Sequence, residues 1–566
     1  MRRNTNTPHF LIVFLNLALW TFPIAYLFKL QVLDAAKNGA IIEKFEFSKT
    51  ILPKRGDIYV SDKNGKLYLI ATTQKIYDVY FNPLKTKDFP KEIALIKDIL
   101  KIKEEIKNTN NTAFIIAKDV DLNTVNKLKK LKLDSLFFEE KYKRVYLENN
   151  FLSTVLGFAI PDDNGILKGI YGLEKYYDEF LRGEPGLYYG IGQAQNAIPG
   201  SDLVLNIDYF IQKYAEKVLE NGLREFQAEG GLIVVTTNDG KVLAIAEKPN
   251  YNPNEYNKVT DQKVFRTRLT QNYEPGSVLK SLTFFAGLES KVYSPTDKYF
   301  DAGYVEADQW KIYNFDKKGR GYITLQEAFE QSLNTGAIYI EKLLGHNRFL
   351  GYLKQFKFDQ EPLIDLPNLT EGNIKNLEKP TRDLRNVNFY TASFGHGISI
   401  SPAHLLMLFN TFANDGDMYN LLIVDKIIFY NQKIQQQKTI KVANIGSKEV
   451  YQKFKDLLEK VTLNGSGKKA RTLGFRIGGK TGSAYIPNEN HPGYSNDVIN
   501  SYLVIFPLSK PMFIILVRID KPNQGLAMVT TVPLAKQMID FLINYYNISP
   551  DNEKEIFEYY STNPQS

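Results

Sequence analysis

The chain of 566 residues contains no cysteine. That excludes disulfides, thiol nucleophiles and cysteine-based zinc sites, and it fits an oxidising compartment without requiring one. Histidine is scarce: His9, His346, His396, His404 and His491 lie apart and form no H-E-x-x-H or similar ligand pair. No catalytic metal is therefore expected. Long low-complexity runs are missing, and aromatics at 13% argue against disorder. The net charge of +8 is not gathered into a stripe. Around 101–133 the lysines alternate with acids and aliphatics, as on solvated faces of amphipathic helices, so no nucleic-acid partner is expected. An outer face meeting anionic lipid or wall polymer explains the excess.

The first forty residues hold the longest apolar run. From Phe10 to Phe28 no residue is charged, and Arg2 and Arg3 come before. At ~1.5 Å per residue this stretch is long enough to span a bilayer, and no A-x-A cleavage site follows it. An uncleaved transmembrane anchor helix is predicted over 10–32, behind a short cytoplasmic tail, 1–9. Lys29, Lys37, Lys44 and Lys49 follow the span, so charge bias does not fix topology.

Residues 40–199 read as a mixed α+β platform of short strands, turns and lysine-rich helices. Lys54-Arg55-Gly56-Asp57 and Asp62-Lys63-Asn64-Gly65 bracket a hairpin. Residues 169–186 read as a helix stopped by Gly183 and Pro185. No pair of acids suited to chemistry stands out here. From 200 a strand and a long amphipathic helix open a second unit. Two strands joined by Asp239-Gly240 come next, then helical text over 277–415, then strands and a closing helix. Strands from both ends around a helical middle predict one α/β (α+β) domain over 200–549, an antiparallel sheet between helix layers. Residues 550–566 read as a loose polar tail.

Three short motifs carry the chemistry. In Glu274-Pro275-Gly276-Ser277-Val278-Leu279-Lys280 a loop meets the start of an apolar helix. Ser277 falls at the helix N-terminus, where free N–H groups favour developing negative charge, and Lys280 lies one turn on. A serine hydroxyl needs an adjacent base, and a lysine serves only when neutral, which burial and a neighbouring cation both promote. Ser332-Leu333-Asn334 supplies a hydroxyl that can shuttle a proton and an amide that can hold a peptide backbone. Gly478-Gly479-Lys480-Thr481-Gly482-Ser483 lies in strand text. Lys480 and Gly482 fall on one face and Thr481 on the other, and the lysine suits a substrate carboxylate. The N–H groups of Ser277 and Ser483 are candidates for an oxyanion hole. Two of the motifs recur by chance, S-x-x-K at Ser466-Gly467-Lys468-Lys469 and S-x-N at Ser561-Thr562-Asn563, while Lys-Thr-Gly occurs once.

The combination is specific. Ser-x-x-Lys, Ser-x-Asn and Lys-Thr-Gly occur in that order, Ser332 55 residues after Ser277 and Lys480 148 after Ser332. This ordered triple resembles the signature of penicillin-binding proteins and serine β-lactamases. KRGDIYVSDKNGKL, GIYGLEKYYDEFLRG, LNIDYFIQ, YEPGSVLK, SFGHGISISPAHLL and RIDKP extend the resemblance to class B penicillin-binding proteins, monofunctional transpeptidases on a non-catalytic pedestal. Ser332-Leu333-Asn334-Thr335-Gly336-Ala337 resembles the septal, FtsI-like branch more than the elongation type. Two departures stand out: Arg266-Thr267-Arg268 replaces the family's usual Asn-Arg-Ala, and Ser483 its usual Thr.

The resemblance implies the penicillin-binding transpeptidase fold and acyl transfer without a cofactor. Ser277 would attack the penultimate D-Ala of a D-Ala-D-Ala stem peptide, with Lys280 taking its proton and Ser332 relaying it. Asn334 would orient the peptide, and Lys480, Thr481, Gly482 and Ser483 would hold its terminal carboxylate. β-Lactams would acylate Ser277. The implied partners are nascent peptidoglycan, the septal glycosyltransferase FtsW and other division proteins, with the catalytic domain on the periplasmic side of the inner membrane. A serine β-lactamase, a β-lactam sensor and a non-catalytic division scaffold remain as rival readings. Glu330 superficially supplies a deacylating acid, but its Glu-x-x-Leu-Asn pattern shares Asn334 with Ser-x-Asn. A D,D-carboxypeptidase differs only in using water as acceptor.

Overall fold

The computed structural model describes residues 49–104, 106, 113–189, 193–378, 385–488, 493–523 and 525–562, together with 21, 23 and 25–29. Of the anchor expected over 10–32, only 21, 23 and 25–29 fall within the described residues. No helix among the described residues is long and apolar enough to cross a membrane.

Twelve strands and nine helices position the site. The strands are β1 (Ile58–Ser61), β2 (Leu67–Phe81), β3 (Phe114–Asp121), β4 (Leu136–Tyr146), β5 (Asp202–Asp208), β6 (Gly230–Thr237), β7 (Val242–Lys248), β8 (Val424–Ile428), β9 (Ile434–Gln436), β10 (Gly478–Pro487), β11 (Tyr494–Phe506) and β12 (Phe513–Asp520). The helices are α1 (Phe89–Leu100), α2 (Leu122–Lys130), α3 (Tyr209–Phe226), α4 (Lys280–Glu289), α5 (Leu325–Glu330), α6 (Asn334–Leu344), α7 (Pro402–Ala413), α8 (Lys448–Leu463) and α9 (Thr531–Tyr546).

The catalytic-half sheet runs β7-β6-β12-β11-β10, antiparallel throughout. Its strands are apolar on both faces because both are covered. Ile233 and Val235 of β6 and Val517 and Ile519 of β12 pack with Ile211, Ala215 and Leu219 of α3 and Val532, Met538 and Ile539 of α9. Their alternate neighbours Leu232, Val234 and Leu516 face Leu282 and Phe285 of α4, Leu405 of α7 and Phe454 of α8. Period-two alternation thus divides one sheet between two cores, the sandwich of helices about a sheet expected for this half. Asp208 caps α3, its carboxylate accepting from the N–H groups of Phe210 and Ile211 at 2.9 and 3.0 Å.

The second sheet runs β9-β8-β5-β1-β2-β3, with β4 also paired to β2. The hairpin expected after Lys54 is β1–β2, turned at Asp62–Gly65. Strand β5 pairs parallel with β1 and antiparallel with β8, so this sheet joins the platform to the catalytic half across residue 200. Beneath it the two platform motifs meet. Glu174 accepts from Arg55 Nε at 2.6 Å and Arg144 Nε at 2.7 Å, and Asp178 from Arg55 Nη1 at 2.7 Å. Arg55, Arg144 and Glu174 are all buried.

Two local expectations are corrected. Residues 169–186 form two short helices, Gly172–Tyr176 and Asp178–Leu181, broken at Tyr177, rather than one. The tail is not loose up to residue 562. Glu553–Thr562 is helical, Asp551 Oδ1 accepts from Arg476 N–H at 2.7 Å, and Glu555 Oε1 accepts from Arg471 Nε at 3.0 Å. Docking onto a backbone amide and a guanidinium distant in sequence orders a polar segment that composition marks as mobile.

Candidate active site

Ser277 lies in the 3-10 turn Gly276–Leu279, which runs directly into α4. Val278 and Leu279 are fully buried, so the apolar side of the turn is locked and the hydroxyl is left on the cleft. Lys280, the first residue of α4, is 0% exposed. Its Nζ donates to the Ser332 carbonyl and stands 3.3 Å from Ser332 Oγ.

Ser332 follows α5 in a turn closed by its own N–H to Phe329 O and Leu333 N–H to Ala328 O. Its φ is +58°, a left-handed conformation that non-glycine residues seldom adopt and that clusters at functional sites. Lys480, also 0% exposed, reaches across from β10, its Nζ 2.8 Å from Ser332 Oγ and 3.0 Å from Thr481 O. Three segments far apart in sequence thus converge on the Ser332 hydroxyl.

Burial, and then the charge of Lys480, holds Lys280 well below the usual lysine range. Burial alone brings Lys480 down to about 7. Two amines this close cannot both keep a proton cheaply, and the deeper shift falls on Lys280. Among the described residues no hydrogen bond joins Lys280 to Ser277; its amine is turned toward Ser332. Hydrogen bonds of this kind tighten when substrate arrives.

A cavity of about 380 Å³ covers this group, lined by Ser277, Ser332, Asn334, His396, Thr481 and Ser483 among others. Asn334 donates its amide to Tyr313 O at 2.8 Å, holding a loop on the cleft wall. Lys480 reaches Ser332 and a Cβ on Gly482 would meet the turn that carries Ser277, and Thr481, which alternation sets on the other face, nonetheless lines the cleft. Ser483 Oγ donates to Asn500 Oδ1 at 2.7 Å and accepts from Ala527 N–H at 3.2 Å. Its hydroxyl therefore braces the 526–528 segment. At the departure from the family pattern, Arg268 N–H donates to Glu247 Oε2 at 2.7 Å and its guanidinium pairs with Asp520 at 3.2 Å. That segment ties β7 to β12.

Gly482 matters for space. A Cβ there would stand 2.8 Å from Val278 Cγ2 and 2.9 Å from Pro275 O, and the latter is backbone that cannot swing aside. Gly482→Ala is expected to push β10 off the nucleophile's turn and slow penicillin acylation about 10²-fold. A stopped-flow labelling rate equal to wild type would refute this.

Two cleft residues were given no role from the sequence, although His396 lies in SFGHGISISPAHLL. Ser466 Oγ lies 2.5 Å from Thr481 Oγ1. It belongs to the second S-x-x-K, whose Lys469 is exposed, so that spacing makes no second site although its serine reaches the first. Gly465 allows this: a Cβ there would sit 2.3 Å from Glu330 O, and the turn after α8 is wedged against the segment leading to Ser332. His396 reaches the cleft on the turn after residues 386–392, its ring tilted against Phe394 with centroids 5.3 Å apart.

The model of the penicillin-binding protein transpeptidase domain matches residues 230–540, and that of the penicillin-binding protein dimerisation domain residues 50–202. The chain belongs to the penicillin-binding proteins. It is a class B member, with a dimerisation-type pedestal before the transpeptidase domain. This penicillin-binding protein is similar to stage V sporulation protein D of Bacillus subtilis, 29% identical over 83% of this chain and 75% of that one. It is similar also to peptidoglycan D,D-transpeptidase FtsI of Escherichia coli, 24% identical over 78% of this chain and 74% of that one. Its fold is that of penicillin-binding protein 2X from Streptococcus thermophilus (TM-score 0.77, 20% identity, 89% of this chain and 81% of that one). A peptidoglycan synthetase from Bifidobacterium adolescentis superposes with TM-score 0.69 at 20% identity, over 89% and 98% of the two chains.

Proposed function

We propose that this penicillin-binding protein is a septal peptidoglycan D,D-transpeptidase working through a Ser277 acyl-enzyme. The observation that carries the reading is the placement of Ser332 Oγ between the amines of Lys280 and Lys480, both fully buried.

In this reading Lys280, uncharged because it is buried beside a second cation, takes the Ser277 proton as Oγ attacks the penultimate D-Ala carbonyl. The Ser277 and Ser483 N–H groups receive the oxyanion. Ser332 passes the proton to the leaving nitrogen and the terminal D-Ala departs. Lys480, Thr481 and Ser466 hold its carboxylate, and Asn334 holds the peptide. An amine of a neighbouring stem then takes the acyl group and Ser277 regains its proton. β-Lactams enter the same path and stop at the acyl-enzyme: Glu330, whose sequence pattern suggested a deacylating acid, is buried and bonded to Gln326 at 2.8 Å.

The pedestal, 40–199, carries no catalytic group in this scheme; 200–549 does the chemistry. Residues 10–32 anchor the chain in the cytoplasmic membrane with the catalytic half outside, where the substrate is. The x-Gly-Ala after Ser332-Leu333-Asn334 supports septal rather than elongation work, alongside FtsW and other division proteins. Peptide mapping by mass spectrometry after benzylpenicillin treatment is expected to find one adduct per chain, on Ser277. An adduct on any other side chain, or rapid turnover of the drug, would sink the scheme.

A further inference from the structure

One acid beside the cleft has no part in that scheme. Glu274 precedes Ser277 by three residues, and its side chain is 11% exposed. The Gly397 N–H donates to Oε1 at 3.0 Å, and the Tyr494 hydroxyl stands 3.2 and 3.1 Å from the two oxygens. His396 Nδ1 is 3.8 Å from Oε2, beyond hydrogen-bond reach. Among the described residues no lysine or arginine meets this carboxylate. Burial pushes its carboxyl up, the state of a buried acid without a cation. His396 is held down at about 4 by burial and then by the charge of Lys280, so it enters uncharged.

Geometry joins this acid to the nucleophile. Gly276 N–H donates to Gly395 O at 3.1 Å, fastening the turn that carries His396 against the turn that carries Ser277. His396 and Ser277 line one cavity; Glu274 lines a second, of about 410 Å³, with Asn272, Asn373, Ser399 and Arg518, whose guanidinium lies over the Tyr273 ring and is paired with Asp520 at 2.6 Å. Tyr485 borders both, so the two are neighbours across one side chain. Asn272 Oδ1 is a buried acceptor with no partner, and such an atom costs free energy until a donor reaches it. The wall thus offers a carboxylate lacking a cation and an acceptor lacking a donor.

We propose that Glu274, flanked by His396 and Asn272, is the subsite that receives the protonated amine of the acceptor stem peptide. The proposal rests on the acyl-enzyme reading above and assigns its second half-reaction. The ammonium loses one proton to solvent by way of Glu274. The free amine attacks the ester carbonyl, the C–N bond forms and the C–Oγ bond breaks. The second amine proton reaches Ser277 Oγ through Lys280 and Ser332.

The test uses the full chain, a synthetic thioester acyl donor and two nucleophiles: the cationic ε-amine of Nα-acetyl-L-lysine and uncharged hydroxylamine. For Glu274→Gln the ratio of kcat/KM with the cationic to that with the neutral nucleophile is expected to fall about tenfold, the loss of one partly buried charge contact. A purely structural role would lower both rates together and leave the ratio in place, which would overturn the proposal. If Glu274→Gln fails to take up fluorescent penicillin, Tyr494→Phe carries the test. It frees the carboxylate from its hydroxyl donor and is expected to raise the ratio; an unchanged ratio there overturns the proposal. Wild-type labelling by the same penicillin reports the earlier reading separately, because acylation needs no acceptor.

Discussion

Lys280→Met is expected to slow penicillin acylation about 10³-fold, the usual contribution of a positioned general base, while raising the melting temperature by about 2 °C. Both effects come from one fact: the amine is fully buried with a second lysine beside the same hydroxyl. Methionine has similar volume and no group to desolvate. The pH dependence follows from the sign of the shift. A lysine held below its ordinary value of ~10.4 binds fewer protons folded than unfolded between those two values. Stability of the wild type therefore climbs with pH through that window, and its deficit against Lys280→Met is full below the folded value. Thermal melts at about pH 7 and about pH 9 should show the gap closing; a constant gap would defeat the argument. Lys480 adds a kinetic limb. In the proposed scheme its charge draws the drug carboxylate, and burial brings its amine down to about 7, so acylation of the free enzyme is expected to decline as pH rises past that point. A rate flat to alkaline pH would rule this out.

The second large effect lies far from the chemistry. Glu174→Ala is expected to destabilise the protein by about 3–5 kcal/mol, the cost of stranding a buried charge by removing its partner. Arg55 and Arg144 both depend on this carboxylate, at 2.6 and 2.7 Å, and Tyr146 adds its hydroxyl at 3.1 Å. Arg144 Nη2 already lacks a partner, so little slack remains. Burial pushes the Glu174 carboxyl up, and the two guanidinium groups outweigh it, holding it below its usual value. Its contribution is thus present above the ordinary carboxylate pKa and lost as pH falls through the lowered one. Limited proteolysis is expected to cut the platform of Glu174→Ala first. Equal resistance of variant and wild type would contradict the expectation.

What the sequence disclosed, and what it hid, follows from the range of the interactions. Ser277, Lys280, Ser332 and Lys480 were legible as one group because three short motifs, two of them repeated elsewhere by chance, stand in one order along the chain. The sheet with two covered faces was legible from unbroken apolar strands at both ends of a helical middle. Ser466, His396 and Glu274 were not. They reach the cleft through the turn after α8, the turn after residue 392 and the loop before Ser277, and no local pattern fixes where such turns dock. The helix Glu553–Thr562 was hidden likewise, its partners Arg471 and Arg476 lying some way back along the chain. The Ser332 backbone at positive φ is a further case, since no residue type there announces it.

The parallel pairing of β5 with β1 bears on how this protein could ever be shortened. A chain begun at residue 200 would keep β5 but lose the strand on one of its flanks, baring a rim of unpaired amides beside Leu203, Leu205 and Ile207. Such rims recruit whatever extended peptide comes near. Pedestal and catalyst are therefore inherited together, as two halves of one woven edge rather than beads that can be unstrung.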